Sequence, residues 1–120
     1  MTTNPPPPKR GEIWIVNLNP TLGAEMQKTR PAVIVSSDAV GKLPIKLIDP
    51  ITDWKAPYAH TSWHVRIDPD ANNGLTKPSA IDALQLRGVD TQRLTKRIGR
   101  VSATKMEEIA AVIAAIVEYQ

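Results

Sequence analysis

The chain has 120 residues, a formal net charge of +3 and a pI near 9.4. This length suits one compact domain with a core large enough to fold without covalent staples. The lack of cysteine excludes a disulfide framework and a thiolate metal site, and fits a reducing cytoplasm.

Residues 1–9 are expected to be a disordered tail, since Pro5 to Pro8 favour an extended polyproline conformation. The N-terminus lacks the apolar run of about 7–15 residues that a secretory signal needs. No stretch approaches the roughly 18 apolar residues of a membrane span, so no membrane partner is expected. Residues 10–120 then form a single domain.

Glu12 to Leu18 predicts a first strand, rich in β-branched residues, with Ile13 and Ile15 on one face and Trp14 and Val16 on the other. Asn19 to Thr29 is a long polar loop, of the length at which loops are often functional. Pro31 to Ser36 predicts a buried central strand that tolerates proline at its first residue. Further strands are expected over 44–51, 63–68, 79–87 and 96–101, with a second long loop over 52–62 and a turn at Asn72-Asn73-Gly74. Near the C-terminus the period changes. Met106, Ile109, Ala110, Val112, Ile113, Ile116 and Val117 recur at helical spacing, which predicts a helix over 105–118 with Thr104 as N-cap and Glu107 at N3. Short strands closed by one helix give a small, mostly β domain with the proportions of an SH3-like barrel.

Charge is uneven. Arg87, Arg93, Lys96, Arg97, Arg100 and Lys105 stand against a single acid, Asp90, over residues 87–105. Such a segment suits a phosphate backbone, and equally a solvated basic face. No glycine-rich phosphate loop, nucleophile elbow or His-Glu-x-x-His motif is present. His60 and His64 are four apart, but in a strand that spacing separates them by about 13 Å, so no metal site is expected.

Arginine is the most promising chemical group. Arg30 lies where the first long loop meets the central strand, its backbone restricted by Pro31. A permanently charged fork on a rigid base suits the stabilisation of charge on phosphate oxygens. The competing reading pairs Arg30 with Glu25 to close the loop. Trp14 and Trp63 read as packing residues. Trp54 either stacks on a base or covers the barrel end or a dimer interface.

Lys9-Arg10-Gly11-Glu12-Ile13-Trp14, Asn17-Leu18-Asn19-Pro20-Thr21, Gly23-Ala24-Glu25 and Thr29-Arg30-Pro31-Ala32-Val33-Ile34-Val35-Ser36 stand in an ordered spacing. Together they resemble the N-terminal pattern of MazF/PemK-type toxins of type II toxin–antitoxin systems. Leu86 to Asp90, Arg93-Leu94, Lys96-Arg97, Ile98-Gly99 and the terminal helix resemble the family's closing segment. The resemblance implies an SH3-like barrel and a homodimer. It also implies a cofactor-free, metal-independent endoribonuclease that cuts single-stranded RNA at short sequences. A small antitoxin with an acidic, flexible tail would neutralise it. The family's catalytic arginine maps onto Arg30 and its catalytic threonine onto Thr52. Glu25 and His60 are candidate general bases or loop-ordering residues, and Lys28, Thr29, Trp54 and Arg87 are candidate RNA contacts. Many members carry two glycines before the Arg-Pro pair; Met26-Gln27-Lys28-Thr29 in that place implies a stiffer, more basic loop.

Two other readings compete. A gyrase-poisoning relative of the same fold would end in Trp-Gly-Ile, whereas this chain ends Glu118-Tyr119-Gln120. A basic RNA-binding adaptor without toxicity would leave growth and total RNA intact when expressed.

Overall fold

The computed structural model describes residues 7–119, and the expected tail falls largely outside them. Seven strands are present: β1 (Glu12–Asn17), β2 (Thr29–Ile34), β3 (Ile45–Asp53), β4 (His64–Ile67), β5 (Ser79–Asp82), β6 (Arg87–Asp90) and β7 (Leu94–Arg100). Among the described residues one α-helix, α1 (Ala103–Ile116), follows them. None of the described helices is long and apolar enough to cross a membrane.

All strand pairs are antiparallel, in the order β4-β5-β3-β2-β1-β7. The long β3 organises the sheet. One of its edges pairs with β2, while the other pairs first with β6 over Ile45–Ile48 and then with β5 over Ile51–Asp53. Pro31 is accommodated because β2 meets β3 only from Ala32 onward, so its missing N–H interrupts no bond on that side.

The mostly β architecture with a C-terminal helix is as the sequence predicts, but the sheet does not close into a barrel. The β4–β5 connection, rather than β4 itself, meets the outer edge of β7. Arg100 N donates to Asn72 O at 2.9 Å, the length of a ladder bond. Asn73 is fully buried and stitches this turn, donating to Asp68 O and accepting from the Leu75 and Asp70 amides. The turn approaches β7 so closely that a Cβ on Gly99 would lie 2.4 Å from the Asn73 carbonyl carbon. Gly99→Ala is therefore expected to cost about 1–3 kcal/mol through forced backbone displacement. Urea denaturation measures it, and an unchanged midpoint would show that the turn yields freely.

Two further differences are local. The strand expected over 79–87 breaks after Asp82, because that carboxylate accepts from Leu84 N at 3.1 Å and caps a single helical turn, Ala83–Gln85. The terminal helix begins two residues earlier than expected. Ser102, not Thr104, is the N-cap, its hydroxyl accepting from Lys105 N at 3.0 Å. Val117 consequently falls beyond the helix and is exposed.

The core has two parts, one on each face. Ile13, Val33, Ile51, Val65 and Ile81 pack with Met106 and Ile109 of α1. On the opposite face, Val16, Leu18, Ala32, Ile34, Ile48, Val89 and Leu94 pack with Trp14 and Met26. Because directly opposed residues of an antiparallel pair share a face, the second face also carries Arg30 beside Val16, and Thr52 beside Ala80.

Candidate active site

The β1–β2 loop is held from outside by three side chains. Arg87 Nη1 donates to Leu18 O at 3.1 Å, and Arg93 Nη1 donates to Asn17 O at 3.0 Å and to Asn19 O. Gln85 accepts from Met26 N at 3.2 Å and donates to Ala24 O at 3.3 Å. Inside the loop, Asn19 Oδ1 accepts from Lys28 N, and Lys28 adopts the left-handed φ of 70°. Much of the basic segment thus has structural work. Arg87 and Arg93 tether the loop, Arg97 pairs with Glu12 at 3.1 Å, and Lys105 pairs with Glu108 at 2.8 Å.

Arg30 emerges at the end of this loop, half-buried. Its Nε donates to Gln27 O at 3.1 Å, which turns the guanidinium along the sheet face. Its Nη1 then reaches Thr52 Oγ1 at 3.4 Å. These two residues are 22 apart in sequence and are joined by the β2–β3 register, in which Ala32 opposes Pro50. A cleft of about 310 Å³, lined by Ala24, Glu25, Met26, Pro50, Gln85 and Arg87 among others, reaches β3 at Pro50, two residues before Thr52, but is lined by neither Arg30 nor Thr52.

The remaining predicted residues divide. Glu25 does not pair with Arg30; its Oε1 accepts from Leu22 N at 2.7 Å and so orders its own loop. Lys28 and Thr29 are exposed at the entrance to β2. His60 is exposed at the end of the short helix Ala56–His60, and no hydrogen bond or ion pair joins it to Arg30 or Thr52 among the described residues. Trp54 is half-buried, with the Arg66 guanidinium carbon 4.9 Å from its ring centroid and Tyr58 edge-on at 6.0 Å.

Three residues outside the sequence-based set bear on this region: His64 and Gln85 near the site, and Asp49 on the other face of β3, where it opposes Val33. His64 stacks on Tyr58 at 3.8 Å, lies 2.6 Å from Thr61 Oγ1 through Nδ1, and faces Asp82 through Nε2 at 3.4 Å. The Thr61 hydroxyl donates to Tyr58 O, so Nδ1 is the donor to its oxygen. His64 therefore ties the 52–62 connection to β5. Asp49 is the second: it is fully buried, and neither carboxylate oxygen has a hydrogen-bond partner among the described residues. Burial, and then the neighbouring Asp82 charge, push its pKa up to about 7. The third is Gln85, the clamp on the loop. An acid inside the apolar run Leu47-Ile48-Asp49-Pro50-Ile51 is the one signal in the sequence that marks Asp49.

Known proteins resemble the chain over most of its length. Residues 9–117 match the family model described as PemK-like, MazF-like toxin of type II toxin–antitoxin system. The chain is 34% identical over 107 residues to Endoribonuclease MazF9 of Mycobacterium tuberculosis, covering 84% of this chain and 88% of that protein. It is 29% identical over 102 residues to Endoribonuclease EndoA of Bacillus subtilis, covering 84% of this chain and 86% of the relative. Among solved structures, an endoribonuclease in complex with its cognate antitoxin from Mycobacterial species shares the fold. Its TM-score is 0.74 at 18% identity, over 95% of this chain and 98% of that one. The chain belongs to the PemK-like, MazF-like toxin family of type II toxin–antitoxin systems.

Proposed function

We infer that the protein is the toxin of a toxin–antitoxin pair and acts as a sequence-selective endoribonuclease on single-stranded RNA. The observation that carries this reading is the Arg30–Thr52 contact, on a chain whose named relatives are endoribonucleases. RNA supplies its own nucleophile, so the protein needs neither a nucleophilic side chain nor a metal ion. The 2′-hydroxyl attacks the adjacent phosphorus, and the bond to the 5′-oxygen breaks. The 2′-proton leaves to a base, and the departing oxygen takes up a proton, giving a 2′,3′-cyclic phosphate.

Arg30 suits the stabilisation of the extra negative charge on the phosphoryl oxygens. Thr52 suits holding one of those oxygens, or the 2′-hydroxyl, in line. A threonine hydroxyl is a poor base, and Glu25 is engaged with the Leu22 amide, so the proton acceptor is assigned to neither. Lys28, Thr29, Arg87 and the Trp54 region surround the path of the strand. An antitoxin partner is supported by the solved structure of the same fold described as an endoribonuclease in complex with its cognate antitoxin, and an acidic tail on it would suit this basic face. The working form is a homodimer in the cytoplasm.

Purified protein is expected to cleave a mixed-sequence RNA in EDTA, leaving cyclic-phosphate or 3′-phosphate ends at a restricted set of sites. End-mapping on a long transcript reads both properties. A folded protein that cuts no RNA would overturn the reading.

A further inference from the structure

Arg66 has no part in the loop tethers or in the Arg30–Thr52 contact. It nevertheless lies on the same row of the sheet, because Thr52 opposes Ala80 and Ala80 opposes Arg66. Opposed residues share a face, and neighbouring strands lie about 4.8 Å apart. Arg66 is thus two strands, roughly 10 Å, from Thr52, with only the buried Ala80 between them in that row.

The Arg66 side chain is held in a defined pose. Its Nε donates to Asp68 Oδ1 at 3.1 Å, and its guanidinium carbon sits 4.9 Å from the centroid of the Trp54 ring. Trp54 is in turn braced edge-on by Tyr58, which stacks on His64, itself facing Asp82. The guanidinium is therefore the outermost layer of a pile that rises from the core. Its side chain remains 49% exposed, and its Nη groups have no hydrogen-bond partner among the described residues. An arginine plane of this kind accepts an unstacked base on its free face, while its remaining N–H groups reach a phosphate.

We propose that Arg66, laid on Trp54 and turned by Asp68, is a base-stacking and specificity-determining residue for the nucleotide flanking the scissile phosphate at Arg30–Thr52. This rests on the ribonuclease reading above and adds a second anchoring point to it. Trp54 then contributes through Arg66, by holding its guanidinium over the ring. Stacking strength discriminates bases only modestly, so the position prefers purines over pyrimidines without being absolute.

The test compares the full-length protein with Arg66→Ala, Arg66→Lys and Trp54→Ala. Cut sites are mapped on one long RNA, and KM and kcat are measured on a short substrate carrying the preferred site. Binding is measured with the same oligonucleotide blocked by a 2′-O-methyl group at the cut. Arg66→Ala is expected to raise KM and the Kd of the blocked RNA by about tenfold, within the range of one base stack. It should also flatten the purine preference at one flanking position. Arg66→Lys keeps the charge but loses the plane, so it restores part of the affinity and none of the preference. Trp54→Ala should shift the same position in the cut-site profile. An Arg66→Ala protein with unchanged KM, Kd and cut-site profile would overturn the proposal. If the wild-type protein cuts no RNA, the ribonuclease reading fails, and the Kd of the wild type and Arg66→Ala for a mixed-sequence single-stranded RNA still decides whether Arg66 contacts RNA.

Discussion

Arg30→Ala abolishes measurable RNA cleavage while leaving the protein folded and able to bind RNA. The expected loss in kcat is at least about 10²–10³-fold, the range for removing one preorganised donor from a developing oxyanion. The geometry explains why so much rests on one side chain. Nε is fixed to Gln27 O, and Nη1 is aimed at Thr52, so the guanidinium reaches the phosphate site already oriented. Alanine removes charge and orientation together. Arg30→Lys keeps the charge but loses the forked geometry, and is expected to recover only a small part of the rate. Thermal unfolding should change little, because neither hydrogen bond of Arg30 lies in a strand ladder. A rapid single-turnover assay with a defined oligonucleotide measures the loss. Full activity in Arg30→Ala would remove this residue from the mechanism.

Asp49→Asn stabilises the protein at alkaline pH and removes a titration from its stability profile. An aspartate in the unfolded chain titrates near 3.9. In the fold, burial and the Asp82 charge raise Asp49 to about 7. The folded state therefore holds this proton more tightly than the unfolded state does. The sign follows from linkage: the associated stability is fully present below about pH 4 and is lost as pH rises toward 7. Three units at about 1.36 kcal/mol each set an upper bound of about 4 kcal/mol. The amide that replaces the carboxyl must itself be desolvated, so the gain at pH 8 is expected to be about 2 kcal/mol. Urea unfolding of both proteins at pH 5 and pH 8 measures it. The wild type should lose stability between these values by more than the variant, and parallel profiles would refute the assignment to Asp49.

The residues that declared themselves early did so through local rules. Alternation identifies β1 through Ile13, Trp14, Ile15 and Val16, because a half-buried strand has a period of two. The Met106–Ile109–Ile113 spacing identifies α1, because a helix packed on one side has a period of 3.6. Arg30 stands out because a charged residue abuts a proline and a buried run. The misplaced boundaries have equally local causes. Thr104 fits the capping pattern along the chain, but it already lies inside the helix, and Ser102, with an extended backbone at φ −69° and ψ 160°, supplies the cap. Asp82 ended a strand that its neighbours alone would have continued, because its carboxylate offered the backbone another partner.

What sequence alone determined was the type of each main element, the position of the arginine and the family to which the chain belongs. The tertiary structure decided which distant residues share a face. Thr52 meets Arg30 because β2 and β3 pair in one register, and a slip of one residue would turn Thr52 to the helix side. Register likewise sets Arg66 in the row and turns Asp49 inward opposite Val33, where it has no partner among the described residues. It also left the sheet open, since the turn at Asn72–Gly74 reaches β7 in place of β4. Periodicity is a property of neighbours along the chain, whereas register is fixed only when the apolar faces of all the strands are buried together.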